Sequence, residues 1–235
     1  MYVIFGEPGD AEHRAEYEKL ASDLTTVFRQ RFGLKEEQLT VLKGWASPGR
    51  PAYDRAALLE TLRSAASKAR PVAASWIIFL GHSNPTATGA NFNIPGPDVT
   101  ERDLGGALEK ATGPLVILHT TSSSGKFAKH LTAPNRVVIS ATLPNEEDNE
   151  TDFGRLLPQA FAQPSLDADG DGFVSALELF QVCSLTVKNS YAEQHFVQTE
   201  TPNLEGNGDG RGTQRPAEAD AAPARLTGLR LVTPP

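Results

Sequence analysis

The residues with the clearest chemistry lie between Asp167 and Glu178. Asp167, Asp169 and Asp171 alternate with small residues, Gly172, Phe173, Val174 and Ser175 follow, and Glu178 closes the run. Counted from Asp167, the acids fall at positions 1, 3, 5 and 12, with glycine at 6. This is the pattern of an EF-hand loop, in which carboxylates and one main-chain carbonyl wrap a hard cation and the glycine permits the sharp bend. Calcium is the expected ion, held by Asp167, Asp169, Asp171 and Glu178 and by the carbonyl of Phe173. Without a cation these carboxylates repel one another, so binding should lock the following helix at Ala176. The alternative is an acidic turn without metal. The loop lacks an obvious EF-hand partner, which suits a structural clip better than a sensor. A weaker version runs through Glu205, Asn207 and Asp209 to Gly210 and has no closing glutamate. It reads equally as half a calcium loop, a contributor to the first site, or a flexible Gly/Asn turn.

A second constellation sits at two strand ends. Leu115 to His119 is branched and apolar and runs into the hydroxyl-rich turn Thr120 to Gly125. Trp76 to Leu80 is of the same kind and runs into Gly81-His82-Ser83-Asn84. Short apolar runs of this sort are strands buried on both faces of a parallel sheet. Ligands meet such sheets beyond the carboxyl ends of the strands, so a histidine and a serine cluster are delivered to one rim.

A strand ending in Gly-His and a later strand ending in a small-residue turn closed by Ser-Gly resemble the caspase/legumain superfamily of cysteine peptidases. The resemblance runs from Tyr2 to about Gly212 and includes Arg136 to Thr142. Thr120 to Gly125 together with Pro95 to Asp98 look in particular like bacterial legumain-like proteins. The resemblance implies that His82 takes the catalytic histidine position and Ser122 the cysteine position, with Gly81, Ser123, Ser124 and Gly125 shaping the turn and the oxyanion region. It also implies a caspase-like three-layer α/β sandwich, with a mostly parallel central sheet, helices on both faces, and the EF-hand-type loop added. The departure lies at the nucleophile. A thiol of pKa ~8.5 is readily ionised by a nearby imidazole, whereas a serine needs an oriented base and a third group to hold its tautomer. Gly81 to Asn84 offers no acid to do that, and Asp98 and Asp103 lie beyond an irregular loop. An inactive pseudopeptidase binding calcium, with a peptide or partner protein at the rim lined by Phe92 and Ile94, is the expected function. The alternatives are an active hydrolase using Ser122 and His82, with amides of Ser122 and of Gly81 or a neighbour as oxyanion donors, and a cysteine peptidase inactivated by Cys→Ser.

Blander readings stand beside these. His82 could be an ordinary hydrogen-bonded histidine, and Ser122 to Ser124 a helix cap for the amides of Lys126 and Phe127. His13, His119, His130 and His195 have no partner spacing and read as structural or solvated. Glu146 to Glu150 reads as a solvated loop that repels acidic ligands or meets a basic partner.

The scaffold that must hold the rim is legible in outline. Strands are expected at Tyr2 to Phe5, Leu39 to Leu42, Trp76 to Leu80, Leu115 to His119 and Val137 to Ala141. Helices are expected at Ala11 to Phe32, Ala56 to Ala69, from Thr100, at Lys126 to Leu131, Thr151 to Ala162 and Ala176 to about Gln194. This alternation gives a parallel sheet covered on both faces. Residues 1–212 read as one domain and 213–235 as a flexible tail, with an edge strand at 226–232. The net charge of -7 argues against nucleic acid as a partner. No apolar run approaches the ~20 residues that span a bilayer. Cys183, the only cysteine, reads as a buried inert thiol. A lone calcium loop suits calcium-rich surroundings, so export is expected, with any signal segment absent from this chain.

Overall fold

The computed structural model describes residues 1–70, 74–145 and 147–232, so Glu146 of the acidic run and residues 233–235 lie outside the described residues. The first half of the chain forms β1 (Tyr2–Phe5), α1 (Ala11–Phe32), β2 (Thr40–Lys43), α2 (Arg55–Lys68), β3 (Ser75–Leu80), β4 (Ser83–Pro85), β5 (Ala90–Phe92), β6 (Val99–Thr100) and α3 (Glu101–Leu108). The second forms β7 (Leu115–His119), α4 (Ala128–Leu131), β8 (Arg136–Ser140), α5 (Phe153–Ala162), β9 (Phe173–Ser175), α6 (Ala176–Glu193), β10 (Asn203–Glu205), α7 (Glu218–Arg225) and β11 (Gly228–Arg230).

The central sheet has the order β10-β8-β7-β3-β1-β2, parallel throughout except for β10 against β8. Its strands are apolar on both faces. Val3, Phe5, Trp76, Ile78, Val116 and Leu118 pack beneath α1, α5 and α6. Ile4, Ile77, Phe79, Leu115 and Ile117 pack beneath α2, α3 and α4. Two-residue periodicity within fully apolar strands produces this double core, and it places β3 and β7 at its centre.

Local signals set the helix ends. Asp10 caps α1 by accepting the His13 amide, and Gly33 ends that helix at φ 62°, a conformation suited to glycine. Thr100 and Asp103 form a reciprocal capping box at α3. The α5 N-terminus is held from a distance, because the buried Glu200 carboxylate accepts the amides of Asp152 (2.7 Å) and Phe153 (3.2 Å).

Three expectations need correction. The stretch Asn84 to Asp98 is not simply irregular, since β4 and β5 within it form an antiparallel sheet with β6. These strands are two or three residues long and contain Pro85 and Asn91, so only their partner bonds define them. Phe92 and Ile94 do not line the rim: they are buried in the core beneath α3. The described residues after 213 are not a tail. Ala221 and Ala224 of α7 are in the core, and β11 pairs antiparallel with β9 outside the central sheet. The alanine-rich, polar composition of α7 hid a helix that turns Asp220, Ala221 and Ala224 inward.

Candidate functional site

Phe79 lies opposite His119, so β3 and β7 end side by side and open one rim. Beyond β3 the chain turns at Gly81 with φ 130°, and a Cβ there would come 3.1 Å from the Gly6 nitrogen. Glycine is needed both for that dihedral and for that approach. Beyond β7, Gly125 presses on the main chain of Thr142 and Leu143, where a Cβ would come within 2.3 Å of the Thr142 carbonyl. The two turns are thus fixed by backbone contact before any side chain is considered.

The Ser122 hydroxyl accepts the Ser83 amide at 3.1 Å and donates to the Ser83 carbonyl at 2.7 Å. These main-chain atoms are its only hydrogen-bond partners among the described residues. Ser123 occupies left-handed space at φ 55° and donates to Asp148, while Ser124 exchanges bonds with Thr142. The hydroxyls therefore tie the turn sideways and do not cap the next helix. The Lys126 amide bonds the Ser123 carbonyl instead, at 3.0 Å. Lys126 and Ser123 hold the Asp148 carboxyl below the usual carboxylate range.

His82 turns toward α1. Its ring meets His13 edge-on, with centroids 5.0 Å apart, and Tyr17 at 6.2 Å. Burial pushes its pKa below the ordinary imidazole value, with Glu150 opposing that shift. His82 and Ser122 still line one cleft of about 350 Å³, together with Glu7, Asn93, Asp148 and Glu150. Neither expected orienting acid reaches the ring. Asp98 accepts the Ile94 amide, and Asp103 is engaged by Thr100 and by Arg55 at 2.6 Å.

His13 and Glu150 are rim residues that the sequence reading sets aside. A ligand atom of each of His13, His82 and Glu150 lies within 4.8 Å of the others, and they come from three separate segments. No local spacing relates them, so no local signal reveals them. His119 is structural, as expected. Its ring is fully buried and stacked between Phe127 (4.0 Å) and Phe79 (5.0 Å), and burial pushes its pKa down to about 3. Cys183 is buried, and burial raises its thiol pKa.

The acidic loop is a tight turn closed on its own main chain. The Asp167 carboxylate accepts the amides of Gly170, Asp171 and Gly172, with Gly170 and Gly172 at φ 73° and 83°. Carboxylate oxygens of Asp167, Asp169 and Asp171 converge within 4.8 Å. Glu178 sits in a capping box with Ser175 and accepts the Ala168 amide at 2.7 Å. In the weaker loop, Glu205, Asn207 and Asp209 accept amides at the same offsets, and Gly208 and Gly210 have φ 86° and 77°. Asp220 of α7 accepts the Gly206 amide at 3.2 Å, the place that Glu178 holds in the first loop. The strand β9, which carries Phe173, takes β11 as its antiparallel partner.

No family model matches this sequence, and no curated protein does. Solved structures do. Caspase-1 of Spodoptera frugiperda is similar over 87% of this chain and 84% of its own, at 12% identity and a TM-score of 0.52. A structural-genomics target from Geobacter sulfurreducens is similar over 98% of this chain and 99% of its own, at 13% identity and a TM-score of 0.55. The fold is caspase-like.

The ends of β3 and β7 lie side by side in this sheet. His82 and Ser122 come to that rim together, facing one cleft but not bonded to each other. The helices expected on both faces of the caspase-like fold are present. Among the described residues, no helix is long and apolar enough to cross a membrane.

Proposed function

We propose that this caspase-like domain is a pseudopeptidase of the bacterial legumain-like kind, whose rim cleft holds a peptide segment without cleaving it. The observation that carries this reading is the state of the Ser122 hydroxyl. Both of its bonds go to the Ser83 main chain, so no base withdraws its proton. A serine without an oriented base is a poor nucleophile, and His82 faces His13 and Tyr17, with no carboxylate hydrogen-bonded to its ring among the described residues. The Ser83 amide, a main-chain donor at the rim, is also taken by that hydroxyl and is not free to stabilise an oxyanion.

Calcium at Asp167, Asp169, Asp171, Glu178 and the Phe173 carbonyl completes the reading. Hard oxygen ligands in this order suit calcium, and the ion would neutralise their repulsion at the start of α6. The pattern shared by Glu205, Asn207 and Asp209, with Asp220 in the closing place, supports a second and weaker site. The rim cleft carries Glu7, Asp148 and Glu150, which favours a basic peptide. A fluorescein-labelled peptide rich in arginine should bind with a salt-sensitive affinity, weaken on Glu7→Gln, and be recovered intact after overnight incubation. An acidic peptide binding as well, or cleavage of the basic one, contradicts the proposal.

A further inference from the structure

We propose that His13, His82 and Glu150 form a binding site for a borderline divalent cation of the zinc type, distinct from the acidic loops. The three side chains come from the first turn of α1, the turn after β3 and the segment before α5. Two imidazoles and one carboxylate are the donor set of zinc sites that keep a fourth position open. Oxygen-seeking calcium has little use for two nitrogen donors, so the acidic loops and this cluster select different ions.

The geometry is close to that of a bound state. Tetrahedral ligands at ~2.0–2.1 Å from zinc lie roughly 3.4 Å apart. His13 Nε2 and Glu150 Oε1 are already 3.5 Å apart, and the His82 donor is within 4.8 Å of both. An adjustment of the His82 side chain closes the remaining gap. The two rings meet edge-on at 79°, which keeps them from stacking face to face.

The ring behind the first ligand is oriented as well. His13 Nδ1 is 2.8 Å from Asp10 Oδ2, and the same carboxylate caps α1 through the His13 amide. With its hydrogen on Nδ1 held by Asp10, the ring presents the Nε2 lone pair toward Glu150 and His82. A carboxylate behind a ligating histidine is the common means of fixing tautomer and raising donor strength. Arg155 approaches Glu150 only to 3.9 Å, its closer bond being to Asp152 at 2.8 Å, so the Glu150 carboxylate is not engaged by a short ion pair. The cluster borders a narrow cleft of about 30 Å³ lined by Tyr17, Thr120 and Arg155, room for about one water at an open coordination position. The proposal does not depend on how Ser122 is read.

The test is a Zn²⁺ titration of the full chain in saturating calcium, followed by calorimetry, with Co²⁺ absorption reporting coordination. One Zn²⁺ per chain should bind, and Co²⁺ should give the intense visible bands of a tetrahedral site. His82→Ala and Glu150→Gln should each weaken Zn²⁺ at least tenfold while leaving the calcium-dependent melting shift unchanged. Asp10→Asn should weaken it about tenfold through His13. Asp171→Asn should leave Zn²⁺ binding as it was. No saturable binding, as expected if His13 is only an imidazolium bridging Asp10 and Glu150, overturns the site. So does binding that survives both His82→Ala and Glu150→Gln.

Discussion

Stripped of calcium by a chelator at neutral pH, the protein should melt about 5–10 °C below its midpoint in calcium at a hundred times its Kd. A ligand at that excess stabilises by ~2.7 kcal/mol, and a domain of this size moves ~2–4 °C per kcal/mol. The effect should reach well beyond the loop. Gly172 accepts the Leu231 amide at 2.9 Å, Ala176 donates to Thr227 at 2.9 Å, and β11 pairs with β9. The C-terminal segment is thus strapped to the loop, and loosening the loop should release it. Limited proteolysis in chelator should cut first between α7 and Val232, and calcium should suppress that cut. Asp171→Asn should remove most of the thermal shift, whereas Asp209→Asn should remove a minor part. An unchanged midpoint with and without calcium excludes the ion from both loops.

The second large effect is a bent pH–stability curve produced by two buried groups of opposite sign. His119 is held neutral by burial, its pKa pushed from 6.5 to about 3. The unfolded chain binds a proton that the folded chain refuses, so stability falls as pH drops from ~6.5 toward 3. At ~1.4 kcal/mol per pH unit, the full loss is on the order of 5 kcal/mol. Glu200 works the other way: burial raises its pKa from 4.5 to about 7, so the folded chain takes the proton first. Its contribution is complete below pH ~4.5 and is lost as pH rises through 7, a change on the order of 3 kcal/mol. Between pH ~6.5 and 4.5 the two nearly cancel; below that His119 is joined by carboxylates held low in the folded chain, such as Asp148, whose stabilisation is lost on protonation. Urea unfolding across this range should show a shallow stretch and then a steep fall. Glu200→Gln should start the fall near pH 6.5, and His119→Gln should flatten the acid limb. Curves of one shape for all three proteins would mean that neither group is buried as described.

How much of this was legible in the sequence depends on how local each feature is. The buried strands announced themselves because a parallel strand covered on both faces must be apolar throughout, as Trp76 to Leu80 and Leu115 to His119 are. The EF-hand pattern and the Thr100–Asp103 capping box were legible because their partners lie within a dozen residues. The rim's position followed from topology. Its contents did not, because His13, His82 and Glu150 are joined only by how α1 packs over the sheet. The bonds of Ser122 to the Ser83 main chain were invisible for the same reason: hydroxyl-rich turns do not show which backbone they will meet. Asp220 was hidden in a segment whose alanines, Pro223 and charges read as unstructured, although Ala221 and Ala224 in the core and the Asp220 bond to Gly206 dock α7.

The proposed pseudopeptidase rests on a Ser122 hydroxyl bonded only to the Ser83 main chain among the described residues. It is tested most directly by incubating the native protein with a fluorophosphonate and locating any adduct by mass spectrometry. Ser122 should stay unmodified while a control serine hydrolase in the same tube is labelled to completion. A stoichiometric adduct on Ser122, abolished by His82→Ala, would contradict it.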